Sequence, residues 1–377
     1  MRWLVAIFIL LLGYLLFWPV SVAPVAWQAP VNQGYVGAFA PNTILARLEP
    51  IEFPDALGGA SQQGPEDTAV DAQGRVYFGM LNGDILRLNN DRSFSRVVNT
   101  GGRPLGISFD SEGTLWIADA YLGLMRWQES TGLELVVTEV DGLAVAYADD
   151  VDVTHNGLVV YSDASTKFHA RDYGTYPASL LDIMEHGGHG RVLTYNPGTG
   201  ESTTLASGLN FANGVAISHD QRWALVNETG TYRVLKMGIA PDNYGEVDVV
   251  IDNLPGFPDN ITADRVQGND IFWVGLVSPR SKILDKLSNA PWLRKLTQRL
   301  PAFVRPQAQS YGHIIGVNIA GEVVYNLQDP AGAYANTTGA EMTAHGLVVT
   351  SLHEHHVAIL PAAALLPAAA LNPNVNP

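Results

Sequence analysis

The sequence predicts an all-β protein, a six-bladed β-propeller with an N-terminal transmembrane helix and a short helical insertion in blade five. Three observations predict it. A phrase of apolar strand, polar turn, apolar strand and Gly- or Asp-containing turn occurs six times, at an uneven spacing of roughly 40 residues or more, the period of a propeller blade. Residues 3–18 form an unbroken apolar run. A basic stretch of helical periodicity interrupts the fifth copy.

The copies justify the blades in order. Residues 68–88 read TAVDAQGRVYFGMLNGDILRL, and 106–127 read GISFDSEGTLWIADAYLGLMRW. The third copy spans 151–163 and resumes at 190–195; the fourth spans 214–237. The fifth spans 261–275 and resumes at 314–327; the sixth spans 342–360. Alternating apolar residues bounded by turn formers are the pattern of short paired strands. The 37 glycines and 22 prolines supply the turns that so many strands require. Asp71 and Asp110 stand ahead of turns, where a short carboxylate bonds backbone N–H groups.

Outside the repeats, residues 1–26 are read as an uncleaved membrane anchor. The apolar run approaches the ~20 residues a span requires once extended to Val22. A signal peptide cut after Ser21-Val22-Ala23 is the alternative, disfavoured by Pro24. Both readings put the remaining chain on the non-cytoplasmic side, because positive charge stays inside. Residues 27–50 are a linker, 51–360 the propeller, and 361–377 a disordered tail. Within 281–306, apolar residues at helical spacing alternate with Lys282, Lys286, Arg294, Lys295, Arg299 and Arg305. Two short helices broken at Pro291 are expected there. They serve either as a membrane-surface patch or lid, or as an insertion whose apolar face packs on the propeller while its basic face is solvated.

Composition narrows the function. A net charge of −15 argues against nucleic acid, whose affinity comes from Lys and Arg on phosphates. With no cysteine, disulfides, thiolate catalysis and Cys-based zinc sites are excluded. The chemistry instead concentrates just before the strand repeats, at Glu66, Asp149, Asn213 and the pair Asp259-Asn260. The innermost strand of each blade lines the channel, so these side chains meet at one mouth. Carboxylates and amides converging there form an oxygen ligand set for a hard cation such as Ca²⁺. Other polar clusters are weaker. His186-Gly187-Gly188-His189-Gly190 has no nucleophile elbow to serve, and reads as a loop. Strand alternation would place His353 and His355 on one face, where a surface metal site is conceivable but a polar strand edge is the plainer reading.

Several stretches resemble the strictosidine synthase-like family, whose wider kin include paraoxonases and gluconolactonase-type proteins. They are GPE at 64–66, GRPLGI at 102–107, YSDASTKFHARDY at 161–173, FANGV at 211–215, VNET at 226–229 and LPGFPDNI at 254–261. The resemblance implies a six-bladed propeller with a divalent metal, usually calcium, in its channel. It implies metal-ligand roles for Glu66, Asn213, Asp259 and Asn260, and places Asp149 where relatives carry Asn. It also matches Glu341 to a catalytic glutamate. Leu105 stands where paraoxonases have a histidine, so an imidazole base is not expected.

The expected function is a membrane-anchored, calcium-dependent hydrolase of esters or lactones. Its metal would polarise the carbonyl, and its base would be Asp259 or Glu341. The alternatives are a binding propeller with structural calcium and an enzyme forming carbon–nitrogen bonds.

Overall fold

Six four-stranded antiparallel sheets follow one another along the chain in the computed structural model, which describes residues 2–365 and 367. The leading strands are Thr68–Val70, Pro104–Phe109, Ala148–Val153, Ala212–Ile217, Gly256–Val266 and Thr337–Thr343. Each blade's sequence repeat thus becomes one sheet. The last sheet is completed from the other end of the chain, where Glu49–Glu52 pairs with His356–Leu360. That pairing closes the ring and leaves no strand edge open there.

Consecutive blades are tied at the channel by carboxylates. Asp67 accepts from Ile107 N (2.8 Å), Asp150 from Val215 N (2.7 Å), Asp152 from Ile217 N (2.7 Å) and Asp264 from Met342 N (2.6 Å). Apolar clusters fill the space between sheets; one joins Trp273, Ile314 and Leu327 to Leu347 and Leu360. Glycine is the third residue of two of the leading strands because the neighbouring blade approaches closely. A Cβ on Gly214 would lie 2.6 Å from Asp259 O and 2.5 Å from Ile261 N, and one on Gly106 would lie 2.4 Å from Asp150 Cα. Asp71 and Asp110 cap tight turns, accepting from Gln73 N and Arg75 N and from Glu112 N and Thr114 N.

Five helices stand outside the sheets: α1 (Arg2–Phe17), α2 (Ala170–Tyr173), α3 (Thr175–Glu185), α4 (Lys282–Lys286) and α5 (Pro291–Thr297). The transmembrane reading of residues 1–26 is corrected here. At ~1.5 Å per residue, the 16 residues of α1 give ~24 Å against a ~30 Å hydrocarbon layer. No helix among the described residues is long and apolar enough to cross a membrane. The helix stops before Pro19, whose ring disfavours helical backbone in the residue ahead of it. Beyond it the chain is an extended strap on the propeller. Val22 is buried, Ala23 N and Val25 N donate to the Glu185 carboxylate and carbonyl, and Trp27 N donates to Ser288 O. The strap continues through the expected linker, where Arg280 donates to Pro30 O and Asn326 to Ala40 O.

α2 and α3 connect the second and third strands of blade three, and α4 and α5 those of blade five. Such connections lie on the face where the leading strands begin. Ser281 caps α4 through its side chain, and Pro291 occupies the first turn of α5, where its missing N–H costs nothing. The burial of the insertion follows the expected amphipathic pattern only in part, with Leu284 buried and Lys282 and Lys286 exposed. Arg294 and Arg299 are buried, while Ile283, Trp292 and Phe303 are exposed. Most of the tail expected to be disordered, 366 and 368–377, lies outside the described residues; before it, Ala364 packs against the last two blades.

Candidate active site

Strand register identifies one equivalent position per blade at the mouth. Blades three, four, five and six share a register irregularity directly after Ala148, Ala212, Pro258 and Thr337, the first paired residue in each except blade five, where Gly256 pairs ahead of Pro258. The next residues are Asp149, Asn213, Asp259 and Thr338. Blade two contributes Leu105 by the same offset from Pro104, and blade one contributes Glu66, two residues before its first paired residue, Thr68. Glu66, Leu105, Asp149, Asn213 and Asp259 all line a cavity of about 350 Å³, while Thr338 holds Glu66 in place by donating to its carbonyl (2.5 Å).

The cavity is mostly apolar. Leu105, Tyr147, Phe211 and Phe257 form walls above the ring, α3 contributes Leu180, Leu181 and Met184, and the insertion contributes Leu284, Gln298 and Arg305. Such a chamber suits a ligand with one polar end, set on the ring, and an apolar body. No histidine lies among the described residues that line it.

Burial governs the electrostatics of the ring. The carboxyls of Glu66 and Asp149 are pushed well above their ordinary range, first by loss of water and then by neighbouring carboxylates, Asp259 foremost. Burial likewise raises Asp259 to about 7, against the pull of Asn213 Nδ2, which donates to Asp259 Oδ1 at 2.5 Å. Arg103, fully buried beside Glu66, opposes the rise in Glu66 and Asp149. Within the expected ligand set, three buried oxygens accept nothing: Glu66 Oε2, Asn213 Oδ1 and Asn260 Oδ1. Orphaned buried acceptors are costly, and a bound cation is one way to satisfy them. The donor chemistry, all oxygen, fits Ca²⁺ or a similar hard ion. Among the described residues, no three Asp, Glu or His side chains cluster tightly enough to hold an ion by themselves, so the amides and an inward closure of the ring would be needed.

The expected site residues fall into two groups. Glu66, Asp149, Asn213 and Asp259 come together on the cavity floor. Asn260 sits beneath it, fully buried, and donates from Nδ2 to Glu66 O (3.0 Å). Glu341 does not join them. It lies three residues down the strand from Thr338, the true ring position of blade six, among Asp264, Asp67 and Asp152. Its carboxyl, raised well above the ordinary range by burial first, does not line the cavity. The base role given to Glu341 is corrected on that ground: the strand advances ~3.3 Å per residue, carrying it ~10 Å below the mouth.

The histidine loops have other duties. His186 stacks on Trp27 with ring centroids 3.9 Å apart, and His189 Nε2 bonds Glu185 Oε1 (2.7 Å). His353 and His355 lie in a bend rather than a strand, so alternation does not align them. His353 packs edge-on to Tyr176, and His355 Nδ1 bonds Gln62 O. Sequence reasoning missed α3 as a cavity wall. Its signal was present in Leu180, Leu181 and Met184, spaced three and four apart behind the Gly174 break.

Two family models match the chain: strictosidine synthase over residues 149–241, and strictosidine synthase-like, N-terminal, over residues 37–88. Adipocyte plasma membrane-associated protein of Salmo salar is 32% identical over 347 residues, covering 85% of this chain and 76% of that protein. The Homo sapiens protein of the same name is 30% identical over 362 residues, 89% and 80% of the two chains. Strictosidine synthase-like protein 6 of Arabidopsis thaliana is 31% identical over 307 residues, 79% of each. Among solved structures, a gluconolactonase from Xanthomonas campestris matches with a TM-score of 0.57 at 15% identity, over 83% of this chain and 94% of that one. Regucalcin, a calcium-binding protein from Agrobacterium tumefaciens, matches with a TM-score of 0.53 at 16% identity, over 83% and 90%. At these identities the structural likeness is one of fold.

Proposed function

The chain belongs to the strictosidine synthase-like family, and we propose that it is a divalent-cation-dependent hydrolase of esters or lactones with a largely apolar body. One observation carries this reading. Three carboxylates and an amide from four separate blades line the floor of one apolar chamber, with buried oxygens left unpaired. Lactone chemistry is brought in by the gluconolactonase of similar fold, and calcium by regucalcin. The relatives named for the plasma membrane support association of this chain with a membrane or the secretory route.

Glu66, Asp149, Asn213 and Asp259 would hold the ion, with Asn260 supporting from below. When bound, it supplies positive charge for a carbonyl oxygen that becomes negative as water adds. The remaining steps fall to the protein. Leu105, Phe211, Phe257 and α3 seat the apolar body and exclude bulk water. Asp259 is the ring carboxylate proposed to take a proton from water, because it lies on the cavity floor beside Asn213 and the ion would hold it in its charged form. A second reading, a binding propeller, is favoured by the Asn213–Asp259 hydrogen bond, which joins blades four and five without an ion.

The test is hydrolysis of a panel of aryl esters and lactones by the full chain, with and without a calcium chelator, while melting is followed. Turnover that disappears with chelator in protein still folded supports the hydrolase. Turnover that survives complete metal removal sinks it, and a metal-dependent melt with no turnover on any substrate moves the binding reading to first place.

The ring also sets a pH dependence. Folded-state values raised above the ordinary ~4 mean that the metal-free folded protein holds protons the unfolded chain has released. Metal-free stability from these groups is therefore greatest below about pH 4. It declines through about 7, where Asp259 ionises, and further as Glu66 and Asp149 follow. Because cations compete with those protons, added calcium raises the melting temperature more at pH 8 than at pH 5. A calcium increment that shrinks as pH rises contradicts the proposed ligand set.

A further inference from the structure

The face that carries the cavity mouth exposes an apolar, basic surface that the hydrolase reading does not use. Segment 281–306 holds six basic residues and one acidic one, in a chain whose net charge is −15. Phe303 is 83% exposed, Trp292 66%, Ile283 57% and Val304 52%. Lys282 and Lys286 are exposed beside them. The two arginines that could have solvated this face are turned inward to tie it down. Arg294 donates to Met184 O and Ser288 O, and Arg299 donates to Trp18 O (2.6 Å) and Leu15 O (3.0 Å). The Arg299 bonds fasten the end of α1 to the insertion, and no residue of α1 is buried. An exposed helix that is apolar after Arg2 and an insertion carrying exposed aromatic residues and lysines thus meet at one place. The same insertion lines the cavity from its other side, through Leu284, Gln298 and Arg305.

We propose that this face, formed by the insertion and the base of α1, docks on an anionic lipid bilayer with Trp292, Phe303 and Ile283 in the headgroup–acyl boundary. Aromatic and aliphatic side chains supply burial at that depth, and Lys282, Lys286 and Lys295 meet the anionic headgroups. Charge and apolar exposure together select the occupant: a basic patch bearing exposed aromatic residues is matched by an anionic bilayer, and a second copy docked face to face would bring its own basic patch against the first. α1 needs no span for this role, only contact with the apolar layer. Docking holds the cavity mouth against the membrane, and, resting on the hydrolase reading, makes a membrane-dissolved amphiphile the natural substrate.

The absence of native cysteine gives a direct test. Phe303→Cys and Trp292→Cys in the full chain, and Thr199→Cys in the turn between the outer strands of blade three at the opposite face, each carry one environment-sensitive fluorophore. Vesicles of phosphatidylcholine with phosphatidylglycerol are added, with phosphatidylcholine alone for comparison. Positions 303 and 292 brighten and shift to the blue on anionic vesicles, more than on neutral ones and less at high salt, while position 199 does not change. Labels at 303 and 292 that stay water-like on protein floating with the vesicles overturn the proposal, leaving α1 as the only contact. Equal responses on neutral and anionic vesicles overturn the assignment to anionic lipid. No substrate is involved, so failure here and failure of the hydrolase reading are separate results.

Discussion

Asp259→Asn keeps the fold, abolishes stabilisation by calcium and lowers turnover by a factor of ~10² to 10⁴. The size is that of a general base removed, and the reason is local. Asp259 is the ring carboxyl that burial brings to about 7, and it lies on the cavity floor next to Asn213. Asparagine has the same shape, so the packing of the fifth blade's leading strand is kept. It also removes a buried group whose charged form is disfavoured in the metal-free protein, so the variant without metal melts no lower than the parent without metal. The expected pattern is therefore asymmetric, with metal-free melting held or raised, the calcium increment gone and turnover lost. Turnover retained within a factor of a few would remove Asp259 from the mechanism. A metal-free melt that collapses would show that Asp259 is needed to join blades four and five rather than to bind an ion.

How much of this was legible in the sequence depends on the range over which the signal acts. The blades were legible because strand alternation and turn residues are local, and six copies reinforce one another. Glu66, Asp149, Asn213 and Asp259 were legible because each stands at a fixed offset before its strand, so the fold need only repeat itself to bring them together. Glu341 was misplaced by the same logic applied without register. The equivalent position in blade six is Thr338, and a displacement of three residues along a strand moves a side chain from the mouth into the channel. The apolar run of residues 3–18 shows hydrophobicity but not where the helix ends. The stop at Phe17 follows from Pro19, but the docking of the chain from Val22 to Trp27 depends on partners far along the chain, Glu185 and Ser288, that no window contains. The burial of two arginines of the insertion was illegible for a related reason. Periodicity assigned its arginines to solvent, whereas Arg294 finds backbone carbonyls of α3 and the strap, and Arg299 those at the end of α1, that only the assembled mouth provides.

Arg294→Met destabilises the protein by ~3 kcal/mol and loosens the roof of the cavity. Arg294 is fully buried in α5 and is the point where three segments meet: its guanidinium donates to Met184 O at the end of α3, to Val25 O in the strap and to Ser288 O after α4. A hydrogen bond from a charged donor contributes ~1.5–3 kcal/mol, and carbonyls left buried without a donor add their own penalty. Methionine fills much of the volume and spares the cost of burying a charge, which is why the net loss is nearer one such bond and one orphaned carbonyl than the sum of all three. Because α3 and the insertion both wall the chamber, the damage is one of positioning. KM for the best ester rises more than kcat falls, the calcium increment in melting persists, and proteolysis within 281–306 becomes faster. Glu66, Asp149, Asn213 and Asp259 are carried on the blades, so a kcat loss equal to that of Asp259→Asn, with KM unchanged, would mean that the roof supplies chemistry rather than enclosure. A melt within a degree of the parent's would mean that the strap and the insertion are held by contacts other than this arginine.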